Sequence, residues 1–308
     1  MAIIMIVLAG GFVALSNYFM RRSIDAGGST RAYLVVQLAI SIIIGILFNP
    51  VRTGHFAVST PSLVLGLIGG VILGSMMWSV GRALESGPPG LTFATLNSAT
   101  VVPGVVMALI FGTQWGHPYT AWDAAGSALV VVGLFWAGWQ SESHASKRRW
   151  VLLSLLAFTF HALLLSFLQW RALLMKGPYD LSPLVPFPLP AEKGQWFMPM
   201  IFVAATLMQL VSYCRFERRL PNKREVSYGI AGGATNGIGT FFLILAPEVA
   251  TPWQNAMIFP LFAVTVIIIC NVWGQMLYKE RVNWGSNLLC LFGIVVATVD
   301  WRSLFGTL

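Results

Sequence analysis

The chain alternates long apolar runs with short polar or basic stretches. About twenty mostly apolar residues suffice to cross a bilayer as a helix. Ten such runs are read here, over 2–20, 32–49, 62–84, 90–112, 122–140, 150–174, 196–214, 226–246, 253–277 and 284–301. The pattern predicts an all-α, polytopic membrane protein with ten transmembrane helices. Most linkers are short. The exception is 176–195, between spans six and seven, where Pro183, Pro186, Pro188 and Pro190 predict an extended, ordered cover.

The spans repeat. Gly66, Gly69, Gly70 and Gly74 in span three recur at the same spacing as Gly229, Gly232, Gly233 and Gly237 in span eight. Each block is followed by an apolar span holding a proline, Pro103 in the first half and Pro260 in the second. An odd number of crossings per half reverses the second half. The halves 1–145 and 146–308 are therefore expected to be inverted five-helix repeats, an architecture of transporters with the substrate between the halves.

Composition agrees with a membrane class. The 308 residues are 56% hydrophobic and only 10% charged, against about 25% charged in a soluble domain. The net charge of +8 lies in loops and carries no nucleic-acid motif. Cys214, Cys270 and Cys290 are an odd set, dispersed in or at apolar runs, which argues against a disulfide framework or a metal site. The N-terminus lacks a basic leader and a cleavage motif and is read as the first span. No Walker A motif is found, and no cofactor or metal is expected.

Basic residues give an orientation. Odd-numbered loops hold fourteen Lys and Arg, including Arg21, Arg22, Arg31, Lys147 and the group Arg215 to Arg224; the other side holds five, Arg52, Arg171, Lys176, Lys193 and Arg302. The positive-inside rule places the odd loops in the cytoplasm and both termini outside. A bacterial cytoplasmic membrane is the expected location.

The glycine blocks, the stretches LNSATVVPGVV and WQNAMIFPLFAV, and the end GQMLYKERVNWGSNLLCLFGIVVAT with Glu280 resemble the drug/metabolite transporter superfamily, in its ten-span EamA-like branch. The first half ends analogously, with Trp122, Gly126 and Gly133, but Gln114 to His117 stand where a counterpart of Glu280 is expected. Both termini are usually cytoplasmic in that family, opposite to the charge count. The resemblance implies a central cavity lined by spans one, three and four and by six, eight and nine.

Polar groups in hydrocarbon are costly and face partners or a water-filled cavity. His161 lies about 18 Å into span six at 1.5 Å per residue; it is either a neutral ring bonded between helices or a coupling group titrating near neutrality. Asn97, Ser98 and Thr100 precede Pro103, and Gln254 and Asn255 precede Pro260. A proline frees the carbonyl one turn earlier, so neighbouring polar side chains bind a substrate or re-satisfy the backbone. Asn236 and Thr240 share one face of span eight. Trp78 and Phe241 each follow the last glycine of their block by four residues and are candidate apolar walls. Asn17 and Gln209 are further polar groups within spans. Arg82, with Glu85 as an ion-pair partner, and Asn271 and Gln275 are candidate gate residues. Trp115, Trp122, Trp139, Trp150, Trp196, Trp253 and Trp301 read as interfacial anchors. No Asp or Glu falls at mid-span, which argues against a cation antiporter built on a buried carboxylate.

The function expected is secondary transport of a small polar metabolite, such as an amino acid, nucleoside or sugar, by alternating access. A multidrug or toxic-compound exporter and a lipid flippase are the alternatives. An enzyme is not expected, because the four histidines are dispersed and form no cluster with acids at one face. The expected partners are a small-molecule substrate and the lipid bilayer, with no nucleic acid, in a monomer or homodimer.

Overall fold

In a computed structural model, residues 1–84, 86, 89–138, 147–175, 194–279 and 282–298 are described. Every regular element among them is helical. They are α1 (Ala2–Asp25), α2 (Thr30–Ile46), α3 (Thr60–Leu84), α4 (Pro89–Ser98), α5 (Val102–Ile110), α6 (Ala121–Gly138), α7 (Lys147–Met175), α8 (Phe197–Phe216), α9 (Lys223–Val249), α10 (Ile258–Tyr278) and α11 (Trp284–Thr298). Among the described residues, seven helices are long and apolar enough to cross a membrane; shorter apolar helices cover Thr95–Ile110, Ala121–Trp136 and Trp284–Ala297. The protein is thus an all-helical, polytopic integral membrane protein. Glu85, Glu280, Trp139, Trp301 and most of the proline-rich segment lie outside the described residues.

Local sequence sets the helix ends. Ser29 caps α2, its hydroxyl accepting from the Ala32 amide at 3.1 Å. Asn222 and Glu225 form a capping box at the start of α9. Gly27, at φ +82°, supplies the left-handed turn after α1. The Glu225 carboxylate also accepts from the Ser29 amide at 2.7 Å and from Arg219 at 2.6 and 2.8 Å. Arg31 pairs with Glu217 at 3.4 Å. These bonds tie the α1–α2 turn to the α8–α9 turn, and bonding to Glu225 raises the Arg219 pKa.

The repeated glycines are contact points. The first block packs on α8: a Cβ on Gly70 would lie 2.4 Å from the Ile201 carbonyl oxygen. The second packs on α2: a Cβ on Gly233 would lie 2.5 Å from the Gln37 carbonyl oxygen. Small residues let helix backbones approach where the surrounding medium supplies no hydrophobic drive. α6 and α11 meet likewise at Gly126 and Gly293. α1 packs on α9 and α10, while α7 packs on α3 and on α4–α5.

The sequence reading treats 90–112 as one span, but α4 and α5 are separated by a 3-10 turn over Ala99–Val101, just before Pro103. Span nine is also shorter than expected. α10 begins at Ile258, and Pro252–Gln254 form a separate 3-10 turn.

Candidate functional site

Residues of α1, α2, α3, α4, α7, α8, α9 and α10 enclose a cavity of about 170 Å³. That is room for a small ligand, since one water needs only about 10–15 Å³. Its walls are stripes at helical spacing: Leu73, Met76, Met77 and Val80 on α3, His161, Leu164, Leu165 and Leu168 on α7, and Asn236, Thr240, Leu243 and Ile244 on α9. Asn17, Thr30, Gln37 and Asn97 complete the polar lining. None of the described lining residues is Asp, Glu, Lys or Arg.

The break in the fourth apolar run orients the site. His161 Nδ1 lies 2.8 Å from the Leu96 carbonyl oxygen, just before the turn. A carbonyl only accepts, so Nδ1 carries the proton and Nε2 is the free ring nitrogen. Asn97 Nδ2 donates to the Phe93 carbonyl at 2.9 Å. Ser98 and Thr100 turn back onto Thr95 and Asn97 carbonyls instead, which re-satisfies the broken helix.

A second polar network joins α1, α2 and α9. Gln37 Nε2 donates to Ser16 Oγ at 3.0 Å, and Ser16 Oγ donates to the Gly232 carbonyl at 3.0 Å. Asn236 Nδ2 donates to Ser41 Oγ at 3.2 Å, and Ser41 Oγ bonds the Gly233 and Gln37 carbonyls at 3.0 Å. The close approach at the glycines lets hydroxyls reach carbonyls across the interface.

Of the residues singled out in the sequence, Asn17, Asn97, His161, Asn236 and Thr240 meet at this cavity. Trp78, Ser98, Phe241, Gln254 and Asn255 do not line it. Trp78 is 40% exposed on the flank of α3. Phe241 packs against Phe48 at 5.1 Å between ring centroids and lies under Arg52. Gln254 caps its own turn through the Thr251 amide. The gate candidates sit apart too: Asn271 donates to Asn287 at 3.0 Å and Gln275 accepts from Trp284 at 3.1 Å, both joining α10 to α11. Arg82 is half-buried near the end of α3, one residue beyond the cavity-lining Gly81. Gln209 donates to the Gly74 carbonyl at 2.9 Å and fastens α8 to α3.

Asn255 lines a smaller cavity of about 110 Å³, with Gly116, His117 and Gln169. Gln169 Nε2 donates to the Asn255 carbonyl at 2.8 Å, and Asn255 Nδ2 to the Gly116 carbonyl at 2.5 Å. Nearby in sequence, Arg171 pairs with Glu248 and stacks 4.0 Å from the Phe197 ring centroid. The α7, α9 and α10 regions are thus latched at one end, while Met20, Thr30, Val80 and Gly81 draw the larger cavity toward the other.

Gln37, like Thr30, is a polar lining residue that the sequence reading missed. Its signal was the ordinary one, a polar side chain within an apolar run, but span two was not among those expected to line the cavity.

No family model matches the sequence, and no curated protein matches it. Twenty-eight chains of solved structures do. One, a crystal structure, superposes with a TM-score of 0.65 at 13% identity, over 96% of this chain and 96% of that chain. At that identity the likeness is one of fold.

Proposed function

We propose that the chain is a secondary transporter that carries a small polar metabolite by alternating access through the central cavity. The observation that carries this reading is the cavity itself, walled by helices from both halves and lined by uncharged polar side chains within apolar spans. The three shorter apolar helices complete ten spans, with α4 and α5 forming one broken span.

The packing supports inverted repeats. Moving five spans along the chain turns the α1 contacts with α9 and α10 into the α7 contacts with α3 and α4–α5. It likewise turns the seat of the second glycine block on α2 into that of the first on α8. Such halves rock about a site between them. By the charge count, the cavity leans toward the cytoplasmic loops and the Arg171–Glu248 end faces outside. Among the described lining residues, His161 is the one side chain that can take up a proton, so any proton coupling would pass through it. The whole-chain reading accords with the EamA-like resemblance.

Counterflow in proteoliposomes with mixed radiolabelled metabolites tests transport, and exchange of a retained label is the expected result. Absence of exchange with any solute class, in vesicles of verified protein content, overturns it. Cysteines introduced near residue 220 test orientation: no labelling by an impermeant reagent in intact cells is expected. The Met20, Met76 and Met77 lining favours a second reading, an exporter of varied apolar compounds, because methionine repacks around different shapes.

A further inference from the structure

We infer that the two cavities are consecutive stretches of one solute path, and that the last turn of α9, from Pro247, is the gate that parts them. The smaller cavity is then the vestibule on the side of the even-numbered loops. This rests on the transport reading, in taking the cavities as a path for solute.

The cavities follow one another along the same pair of helices. On α7, Leu165 and Leu168 line the larger cavity, and Gln169 and Ala172 line the smaller. Along α9 and its cap the order is the same, with Leu243 and Ile244 followed by Pro247 and Ala250. Ile244 and Pro247 are three residues apart, about 4.5 Å along a helix at 1.5 Å per residue. Roughly one helical turn of side chains therefore separates the two spaces. The larger cavity extends toward Met20, Thr30 and Gly81, near the end of α1, the start of α2 and the end of α3. The smaller reaches exposed Pro252, in the turn between α9 and α10. They lead to opposite ends of the bundle.

The partition coincides with a weak point in the α9 backbone. Pro247 lies inside the helix and has no amide to give the Leu243 carbonyl one turn earlier. Leu243 lines one cavity and Pro247 the other, so the missing rung falls at the partition itself. Sharp helix bends concentrate at such positions. The turn beyond the proline carries Glu248, which accepts from Arg171 of α7. Arg171 is 4% exposed and lies 4.0 Å from the Phe197 ring centroid of α8. The pair thus holds the end of α9 against α7, with α8 behind it. The hold is incomplete, because Arg171 Nε is buried without a hydrogen-bond partner. An unmet buried donor lowers the stability of the closed arrangement, which keeps the latch releasable.

The test is sided cysteine labelling of the full chain in right-side-out and inverted membrane vesicles. Cys214, Cys270 and Cys290 are replaced by alanine, and the reagent is an impermeant methanethiosulfonate. Trp253→Cys, at a position 52% exposed, marks the even-loop side. Ala172→Cys reports on the smaller cavity and Met76→Cys on the larger. Ala172→Cys should react from the marked side. Met76→Cys should react from the opposite side, and only slowly from the marked one. Adding Glu248→Gln should raise that slow rate about tenfold or more, the factor by which a charge-assisted hydrogen bond biases a two-state balance. Adding Pro247→Ala instead returns an amide to the Leu243 carbonyl and should lower the rate about threefold or more.

Failure of Ala172→Cys to react from the marked side overturns the vestibule. No marked-side labelling of Met76→Cys in any variant overturns the gate, as does a rate left unchanged by either substitution in folded protein. Should Glu248→Gln fail to fold, Pro247→Ala decides alone. The transport reading fails separately, as absent counterflow while Glu248→Gln still raises marked-side labelling. Counterflow with labelling indifferent to both substitutions leaves transport standing and overturns the gate.

Discussion

Two proline-bearing segments that look alike in the sequence fold differently, and the difference locates the site. In the first half, Asn97 and Ser98 belong to α4, and the 3-10 turn and Pro103 follow inside the same apolar run. The break therefore falls where side chains from other helices converge, and Asn97 and His161 meet at it. In the second half, Pro260 is the third residue of α10. The first amides of a helix have no intrahelical partner, so a proline there breaks nothing. Gln254 and Asn255 fall before the helix and act as cap and crosslink. Pro103 is likewise near a helix start, the second residue of α5. The segments differ in what precedes the proline: α4 and its 3-10 turn run straight into α5 in the first, and a turn over 255–257 stands before α10 in the second.

The two segments touch, and the largest effect is expected at that contact. A Cβ on Gly104 would lie 2.8 Å from the Ala256 carbonyl oxygen and 3.1 Å from its Cα. Backbone cannot give way as a flexible side chain can. Gly104→Ala should cost about 1–3 kcal/mol by overpacking, and Gly104→Val should remove most monodisperse protein in size-exclusion chromatography. Gly11 is the control: its added Cβ meets only Ile269 at 3.7 Å. Gly11→Ala should leave yield and melting unchanged or slightly improved, because Ala favours a helix over Gly. Good yield of Gly104→Val would mean that the proline segments do not pass this closely.

Replacing the two asparagines separates their roles. Asn255→Ala leaves the Gly116 carbonyl without its buried donor, so stability should fall by about 1–3 kcal/mol. Binding in the central cavity should not change in the protein that remains folded. Asn97→Ala does the reverse. Its nitrogen bonds a carbonyl in its own helix and its side chain lines the central cavity, so affinity for a ligand held there should fall roughly three- to tenfold, at about 0.5–1.5 kcal/mol. Melting curves and binding isotherms on both variants give the two-by-two comparison. Loss of affinity in Asn255→Ala at unchanged stability would restore the symmetric reading of the segments.

What the sequence made legible follows from what each signal measures. Apolar run length located the helices, because a span must satisfy its backbone internally. Glycine spacing is a repeat signal in the sequence; in the structure both blocks pack closely, the first on α8 and, at Gly69, also on Phe167 of α7, the second on α2. Side-chain direction was less legible. Asn236 and Thr240 were placed by their one-turn spacing. Gln37 was overlooked because its role depends on Ser16, on a different helix and bonded in turn to Gly232. Bonds between spans distant in sequence leave no local pattern. Arg171 was counted as a loop charge, yet it is buried beside Glu248 and Phe197.

The smallest expected effect concerns Trp78. Repeat symmetry paired it with Phe241 as two walls of one pocket, yet the two side chains have different surroundings. The cavity stripe on α3 runs through Leu73, Met76, Met77 and Val80. At about 100° per residue, Trp78 is turned away from the centre of that stripe and lies exposed on the flank, toward lipid in a bilayer. Phe241 is buried against Phe48. Matching positions in the two glycine blocks do not give matching surroundings, because each side chain packs against whatever its own neighbours present. Trp78→Ala should leave affinity for a bound ligand unchanged within about twofold, well below the roughly three- to tenfold of Asn97→Ala. Binding isotherms on the two variants make the comparison. A Trp78→Ala loss as large as that of Asn97→Ala would mean that the ring swings into the cavity when ligand is bound.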